Sequence, residues 1–191
     1  ELGLCFKNTG DLSKAIASFE SIDSEWNQWA KVQAELADLY VRSGDQTGAK
    51  DVLSKALASV EEDDVLSGQL RYVKSRIHFT DKEYREAIAG FSDVLKLPVR
   101  EDIYNGSLLS RGSAYYELAK ELDARGDTAR ARGEYESSLS DMKALLERNP
   151  AANIKDSAFR TLGAGMIRLQ REDEAVEYYK ELIAKGKLID L

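Results

Sequence analysis

Few residues of this 191-residue chain can do acid–base, nucleophilic or metal chemistry. His78 is its one histidine and Cys5 its one cysteine. A zinc site needs several such ligands and a disulfide needs two cysteines, so we expect no metal, no cofactor and no internal disulfide. His78 has no plausible nucleophile beside it, which favours a packing residue with one hydrogen-bonded nitrogen over a general base. Cys5 is interpreted as a small buried side chain.

Two short motifs match signatures of binding or modification only in part. Gly163-Ala164-Gly165 lacks the rest of a phosphate-binding loop and lies in a predicted helix, where small residues favour close helix packing. Asn105-Gly106-Ser107 has the spacing of a glycosylation acceptor, but without a sign of secretion it is interpreted as a loop and helix start. The carboxylates are scattered, and the sequence holds no catalytic constellation. We therefore expect a chain that is not an enzyme.

The composition predicts an all-helical chain with a solvated surface. Apolar residues make up 43% and charged residues 32%, and there are 2 prolines. Lys and Arg number 27 against 34 Asp and Glu, and the resulting net charge of −7 opposes nucleic acid or an anionic membrane as the main partner. Since no window holds 18 consecutive apolar residues, we expect no membrane span.

Both ends of the chain are interpreted as internal to a longer protein. Residues 1–6 read as the middle of an amphipathic helix, and residues 188–191 are apolar and lack a solvated capping helix. No secretory signal precedes the first helix, which favours a cytoplasmic location. A signal could still lie upstream, so the location stays open.

The sequence repeats itself with a period of 34 residues. An offset of 34 separates Gly10 from Gly44, and the same offset separates four other pairs, which are Leu2 and Leu36, Phe6 and Tyr40, Ala15 and Ala49, and Phe19 and Leu53. A turn followed by alanine recurs at 82–87 and at 170–175. Self-similarity at this period is typical of arrays of stacked structural units.

Each unit is predicted to hold two antiparallel helices, because apolar residues recur at intervals of three and four. Small residues mark the crossing of the two helices, since only Gly, Ala or Ser lets two backbones approach closely. These crossing residues are Gly3, Ala37, Ser75, Gly112 and Gly163 in the first helices, and Ala15, Ala49, Ala87, Ser138 and Ala175 in the second. Gly10, Gly44 and Gly126 are predicted to adopt the left-handed backbone of the intervening turns. Met142 and Met166 are expected in the core.

This pattern resembles the tetratricopeptide repeat family, whose 34-residue units carry a small eighth residue, Ala at the twentieth position and Pro near the end. Pro98 and Pro150 match the last of these. The resemblance implies an all-α fold, a right-handed α-α superhelix of antiparallel helix hairpins that forms a single array over 1–191. Its units are expected at about 1–28 (truncated), 30–63, 68–101, 105–152 and 156–191.

The fourth unit departs from the family pattern. Its crossing glycine and its turn glycine, Gly112 and Gly126, are 14 residues apart where the other units use seven. Seven extra residues are expected in each helix, which lengthens the hairpin over 117–133 by about two turns. We place the insertion at the tip because both helices then stay matched, although a heptad shift would let Ala131 stand in for Ser138. Such an extension is either a contact for a partner or inert.

The resemblance also implies which residues bind a partner. In this family the first helices line a concave groove, and the residues at its contact positions are here Lys31, Asp38, Arg42, Tyr72, Arg76, Phe79, Leu109, Ser113, Tyr116, Arg160, Ile167 and Arg168. Tyr72, Phe79 and Tyr116 are expected to be exposed beside arginines, a mixture that can grip a peptide through apolar anchors and charge-assisted hydrogen bonds. Alternatively, these rings merely cover neighbouring helices.

The resemblance favours a non-enzymatic protein–protein interaction module, an adaptor that binds a peptide or a partner subunit in the groove. Two alternatives stay open. The array could be a self-associating scaffold that forms a homo-oligomer, or it could be the substrate-recruiting arm of a larger enzyme.

Overall fold

In the computed structural model, which describes residues 2–26, 28–61 and 65–186, the chain forms ten α-helices and no strand within these ranges. The helices are α1 (Leu2–Thr9), α2 (Leu12–Glu20), α3 (Trp29–Ser43), α4 (Gln46–Leu57), α5 (Val65–Thr80), α6 (Tyr84–Val94), α7 (Glu101–Ala124), α8 (Thr128–Glu147), α9 (Ala152–Arg168) and α10 (Glu172–Ala184). The predicted all-α fold is confirmed. None of these helices is both long enough and apolar enough to cross a bilayer.

Tight turns pair the helices into hairpins, α1 with α2, α3 with α4, and so on. Gly10, Gly44 and Gly126 occupy three of these turns with φ angles of 82°, 86° and 80°. This confirms their predicted left-handed backbone, which an L side chain strains. In the other two turns, Lys82 and Gln170 adopt φ angles of 62° and 56° without being glycine.

An aspartate after each of the three turn glycines starts the second helix. The side chains of Asp11, Asp45 and Asp127 accept hydrogen bonds from backbone N–H groups three residues further on, at 3.2, 2.8 and 3.3 Å. Such N-caps satisfy a donor that the first helical turn otherwise leaves unpaired. The Gly-Asp pair therefore ends one helix and begins the next.

The crossing residues lie where the hairpins close, as predicted. Ala37 and Ala49 are fully buried between α3 and α4, and Ser138 is fully buried in α8. A Cβ atom on Gly112 would lie 3.1 Å from Asp141 Cβ and would clash with Met142. Met142 and Met166 are fully buried, which confirms their core assignment. Small side chains thus set the spacing within each hairpin.

The first helices of successive hairpins lie side by side. α3 contacts α5, α5 contacts α7 and α7 contacts α9, and each second helix packs on the first helix that follows it. No comparable contact joins one second helix to the next in the described ranges. Because the first helices are closer together than the second helices, the array curves toward them, and their outward side is concave. We call this side of α1, α3, α5, α7 and α9 the inner face.

The hairpin of α7 and α8 is the longest, with helices of 24 and 20 residues. Gly112 still faces Ser138 and Met142, so the extra residues lie at the tip of the hairpin. There a second crossing, Ala119 against Ala131, is fully buried in a cluster with Leu118, Leu122 and Tyr135. This cluster also packs on Tyr84 of α6 and on Leu169 after α9. The extension is therefore packed against its neighbours over part of its length.

Two sequence interpretations are wrong. Cys5 is exposed, because its side chain points away from the α1–α2 contact that buries Gly3. Asn105 and Ser107 lie inside α7 and are buried, since that helix begins at Glu101, four residues earlier than expected. The Asn105 side chain accepts a hydrogen bond from Arg148 Nε at 2.7 Å, so it is a structural residue. One predicted feature, the apolar C-terminus (188–191), lies outside the described residues.

Candidate functional site

All twelve residues predicted to line the groove lie on four first helices. Helix α3 carries Lys31, Asp38 and Arg42, α5 carries Tyr72, Arg76 and Phe79, α7 carries Leu109, Ser113 and Tyr116, and α9 carries Arg160, Ile167 and Arg168. Their helices follow one another along the inner face.

Ion pairs join α1, α3 and α5 across the inner face. The Lys7 ammonium group of α1 contacts Glu35 of α3 and lies 4.0 Å from the Asp38 carboxylate. Asp38 Oδ1 in turn accepts a hydrogen bond from Arg76 Nη1 of α5 at 2.5 Å. These side chains are between a fifth and a third exposed, so the pairs are only partly shielded from water. The predicted groove residues Asp38 and Arg76 are thus one another's partners.

Tyr72 links α5 to α6 and α7. Its ring lies 5.9 Å from the ring of Phe91, and the Arg76 guanidinium lies 5.8 Å from the Tyr72 ring centroid. On the α7 side, Gly106 leaves room for the Tyr72 hydroxyl, which would lie 2.6 Å from a Cβ atom at that position. Burial raises the pKa of Tyr72, and this outweighs the opposing effects of the Arg76 charge and of a hydrogen bond with Ser110.

Tyr116 makes the corresponding link between α7 and α9. A hydrogen bond with Tyr116 raises the pKa of the Arg168 guanidinium on α9. The Tyr116 ring lies 5.6 Å from the ring of Tyr135, whose hydroxyl donates to Asp123 at 3.0 Å. Burial and this hydrogen bond raise the pKa of Tyr135 to about 12. Polar contacts at the inner face therefore continue from α1 to α9.

The aromatic residues of the inner face are not exposed as expected. Tyr72, Phe79 and Tyr116 are all half-buried, and the Phe79 ring packs 5.7 Å from the ring of Tyr84. Each ring packs on an aromatic ring of a second helix, Tyr72 and Phe79 on α6 and Tyr116 on α8, so the rings cover neighbouring helices. This is the alternative interpretation of the pattern.

Five other predicted groove residues do face solvent, namely Lys31, Arg42, Arg160, Ile167 and Arg168. Ile167 is 60% exposed and is one of several large apolar side chains that the described residues leave exposed. Arg160 is held by Asp156 on its own helix at 2.9 Å. Leu109 and Ser113 are half-buried. Most polar and aromatic side chains of the inner face thus contact one another, and only a few side chains are exposed to solvent.

His78 lies away from the inner face. Its Nδ1 atom is 2.6 Å from Glu83 Oε2, which confirms the predicted hydrogen-bonded nitrogen. The ring borders a cleft of about 640 Å³ between α4, α5 and α6 that also contains Lys74 and Glu86. In the described part of the chain, no group of three or more His, Cys, Asp or Glu side chains is placed to hold a metal ion.

Sequence reasoning missed a charged clamp at the centre of the array. Arg111 of α7 donates from Nε and Nη2 to the Asp141 carboxylate of α8 at 2.8 and 2.6 Å, and from Nη1 to Ser92 of α6 at 3.1 Å. The Asp141 side chain is only 7% exposed. The sequence did contain an indication of this ion pair. Arg111 and Asp141 directly precede the predicted core residues Gly112 and Met142, which places both charged residues near the helix crossing. Lys7 and Glu35 of the inner face were missed as well.

Comparisons with known proteins identify the fold. No family model matches the chain, and no curated protein matches it. Among solved structures it is similar to MamA, with 20% identity, a TM-score of 0.57 and coverage of 98% of this chain and 95% of that one. For a mutant of MamA the identity is 18% and the TM-score 0.61, over 93% of this chain and 90% of that one.

A third similar structure is a tetratricopeptide repeat protein from Parabacteroides merdae, with 15% identity and a TM-score of 0.51 over 95% of this chain and 76% of that one. At such low identities these likenesses show the fold and nothing more. Together with the repeated helix hairpins and their glycine turns, they show that the chain has the tetratricopeptide-repeat-like fold, a right-handed solenoid of antiparallel helix pairs.

Proposed function

We propose that this chain is a non-enzymatic protein-interaction module that holds a peptide or a partner subunit against the inner face. One observation carries the proposal. Ile167 is 60% exposed on the first helix α9 and directly precedes Arg168, whose guanidinium bonds to Tyr116. An exposed apolar side chain beside an arginine and a tyrosine is the kind of anchor around which protein interfaces are built.

The contacts within the inner face support this function by holding it in shape. Asp38 binds Arg76, Tyr72 fits against Gly106, and Arg168 bonds to Tyr116, so the first helices are fixed relative to one another. A surface that is already ordered loses less conformational entropy when a partner binds. In this proposal the residues that bind one another hold the first helices in place. The exposed side chains, chiefly Ile167, contact the partner.

The central test compares two isoleucines of the same hairpin. Ile167 and Ile183 are 60% and 59% exposed, and each is the penultimate residue of its helix, but Ile167 is on the first helix α9 and Ile183 on the second helix α10. Peptides are first selected from a displayed random library on the immobilised chain. We expect Ile167→Gln to weaken the selected peptide about tenfold by fluorescence anisotropy, because it removes the apolar anchor.

Ile183→Gln is the matched control and is expected to leave the dissociation constant within about twofold. Equal losses in both variants, or a loss in Ile183→Gln alone, would show that the inner face is not the binding surface. Replacing Tyr72 and Arg76 is a poor test, because their contacts with α3 and α7 would be lost along with any contact to the partner.

Self-association is a second candidate, and one observation favours it. Helix α1 exposes Leu2 and Leu4, and α10 exposes Val176 and Ile183, so apolar side chains are uncovered at both ends of the array. Two copies could cover them by stacking end to end, in the way that successive hairpins stack within the chain. A role as the recruiting arm of a larger enzyme stays a prediction.

A further inference from the structure

A cleft lies where the long hairpin meets the end of α9. Tyr116 of α7 lies beside Arg168 at the end of α9, so the last two turns of α7 and the first turns of α8 overhang the point where α9 stops. A cleft of about 570 Å³ lies under this overhang. Thr128, Arg132 and Tyr135 of α8 form one side, and Arg168 and Leu169 form the other. We call it the overhang cleft.

Two arginines of the overhang cleft lack an acidic partner. Elsewhere on this hairpin Arg125 pairs with Glu121 and Arg130 with Asp127, and nearby Arg171 holds both Glu136 and Glu174. Arg132 and Arg168, which are both exposed, form no ion pair with any carboxylate of the described residues. Glu136, one turn after Arg132, already accepts a hydrogen bond from Arg171.

The cleft contains one carboxylate, which is also engaged. Asp123 accepts a hydrogen bond from the Tyr135 hydroxyl at 3.0 Å, and its charge is the least of the causes acting on the pKa of Arg168. Among the residues that line the cleft, two cations therefore face one internally bonded anion, although the whole chain carries −7.

The cleft is built on a packed cluster. Tyr135 is 2% exposed, its ring lies 5.6 Å from that of Tyr116, and half-buried Leu169 packs against the same cluster. A ligand for this cleft would offer carboxylates to the two guanidinium groups. Arginine suits this purpose, because its planar donors bind carboxylates with two parallel hydrogen bonds.

We propose that the overhang cleft binds an acidic segment of the partner, whose Asp or Glu side chains pair with Arg132 and Arg168. This inference rests on the proposed function, since Arg168 lines the cleft and is also one of the predicted groove residues. It gives the inserted turns of α7 and α8 a role, because the overhang exists only through them. The cleft would thus recognise the side-chain carboxylates of an extended peptide.

The test uses a defined probe and two double variants of equal charge. Fluorescein-labelled hexaglutamate is titrated into the full chain at low salt and followed by anisotropy, with hexaglutamine as the uncharged comparison. Arg132→Gln with Arg168→Gln is expected to weaken hexaglutamate at least about fivefold, because both charge-assisted hydrogen-bond donors are removed. The control, Arg125→Gln with Arg130→Gln, removes the same charge from paired arginines of the same hairpin and is expected to stay within about twofold.

Equal loss in the two double variants would overturn the proposal, because net charge alone would then account for binding. It would also fail if hexaglutamate did not bind, or if inorganic phosphate competed so well that a small-anion site explained the data. These outcomes are separable from the proposed function. A library-selected peptide that still responds to Ile167→Gln would leave the inner face intact even if the overhang cleft bound no acidic probe.

Discussion

Replacing Asp141 by alanine is expected to lower the free energy of unfolding by about 3 kcal/mol. The change removes the carboxylate that accepts two hydrogen bonds from Arg111, and it leaves a guanidinium group that is only 21% exposed without its counter-charge. Because Arg111 also donates to Ser92, the loss reaches three helices, α6, α7 and α8. Urea unfolding followed by circular dichroism measures the effect.

Two further variants show whether this loss comes from the clamp. Asp93→Ala breaks an exposed pair with Lys96 and is expected to cost less than about 0.5 kcal/mol. Replacing both Arg111 and Asp141, as Arg111→Met with Asp141→Leu, is expected to recover most of the loss, because no unpaired charge then stays buried. If Asp141→Ala lowered the free energy of unfolding as little as Asp93→Ala does, the clamp would not contribute to the stability of the array.

Replacing Ala49 by leucine is expected to destabilise the chain by about 1–3 kcal/mol. Ala49 is fully buried in α4 and shares one hydrophobic cluster with the equally buried Ala37 of α3, so three additional carbon atoms must displace their neighbours. The two helices must separate or their neighbours Leu53 and Leu70 must shift. For a chain of this size the melting temperature should fall by about 2–4 °C for each kcal/mol lost.

Ala17→Leu provides the comparison for Ala49→Leu. Ala17 lies on the exposed side of α2, so the larger side chain meets only solvent there. We expect a change in the free energy of unfolding of less than about 0.5 kcal/mol. An unaltered melting curve for Ala49→Leu itself would show that the crossing is not where the 34-residue period places it.

The helix pairing could be predicted because its determinants are local backbone requirements. A left-handed turn at Gly44 and a small residue at Ala49 can each be recognised without knowing what lies opposite. The same two features occur 34 residues earlier, at Gly10 and Ala15, and this repetition strengthens the prediction. The lengthened hairpin was predictable for the same reason, since the distance from Gly112 to Gly126 sets the helix length directly.

The polar contacts of the inner face were not predictable, because they depend on side-chain conformations across different helices. Asp38 and Arg76 both occupy groove positions, and nothing local shows that they bind one another and not a partner. Tyr72 was expected to be exposed, but the space that buries it is created by Gly106, 34 residues further along the chain. The prediction of a loop at Asn105 was wrong for a related reason, because the hydrogen-bond partner of its side chain, Arg148, lies in another helix.

The most direct test of the central claim is hydrogen–deuterium exchange of the full chain with and without a library-selected peptide. If the inner face is the binding surface, the peptide should slow exchange in the first helices α7 and α9, around Tyr116 and Ile167, and leave the second helices α8 and α10 unchanged apart from the overhanging turns. Protection confined to second helices, or spread evenly over both layers, would contradict the account.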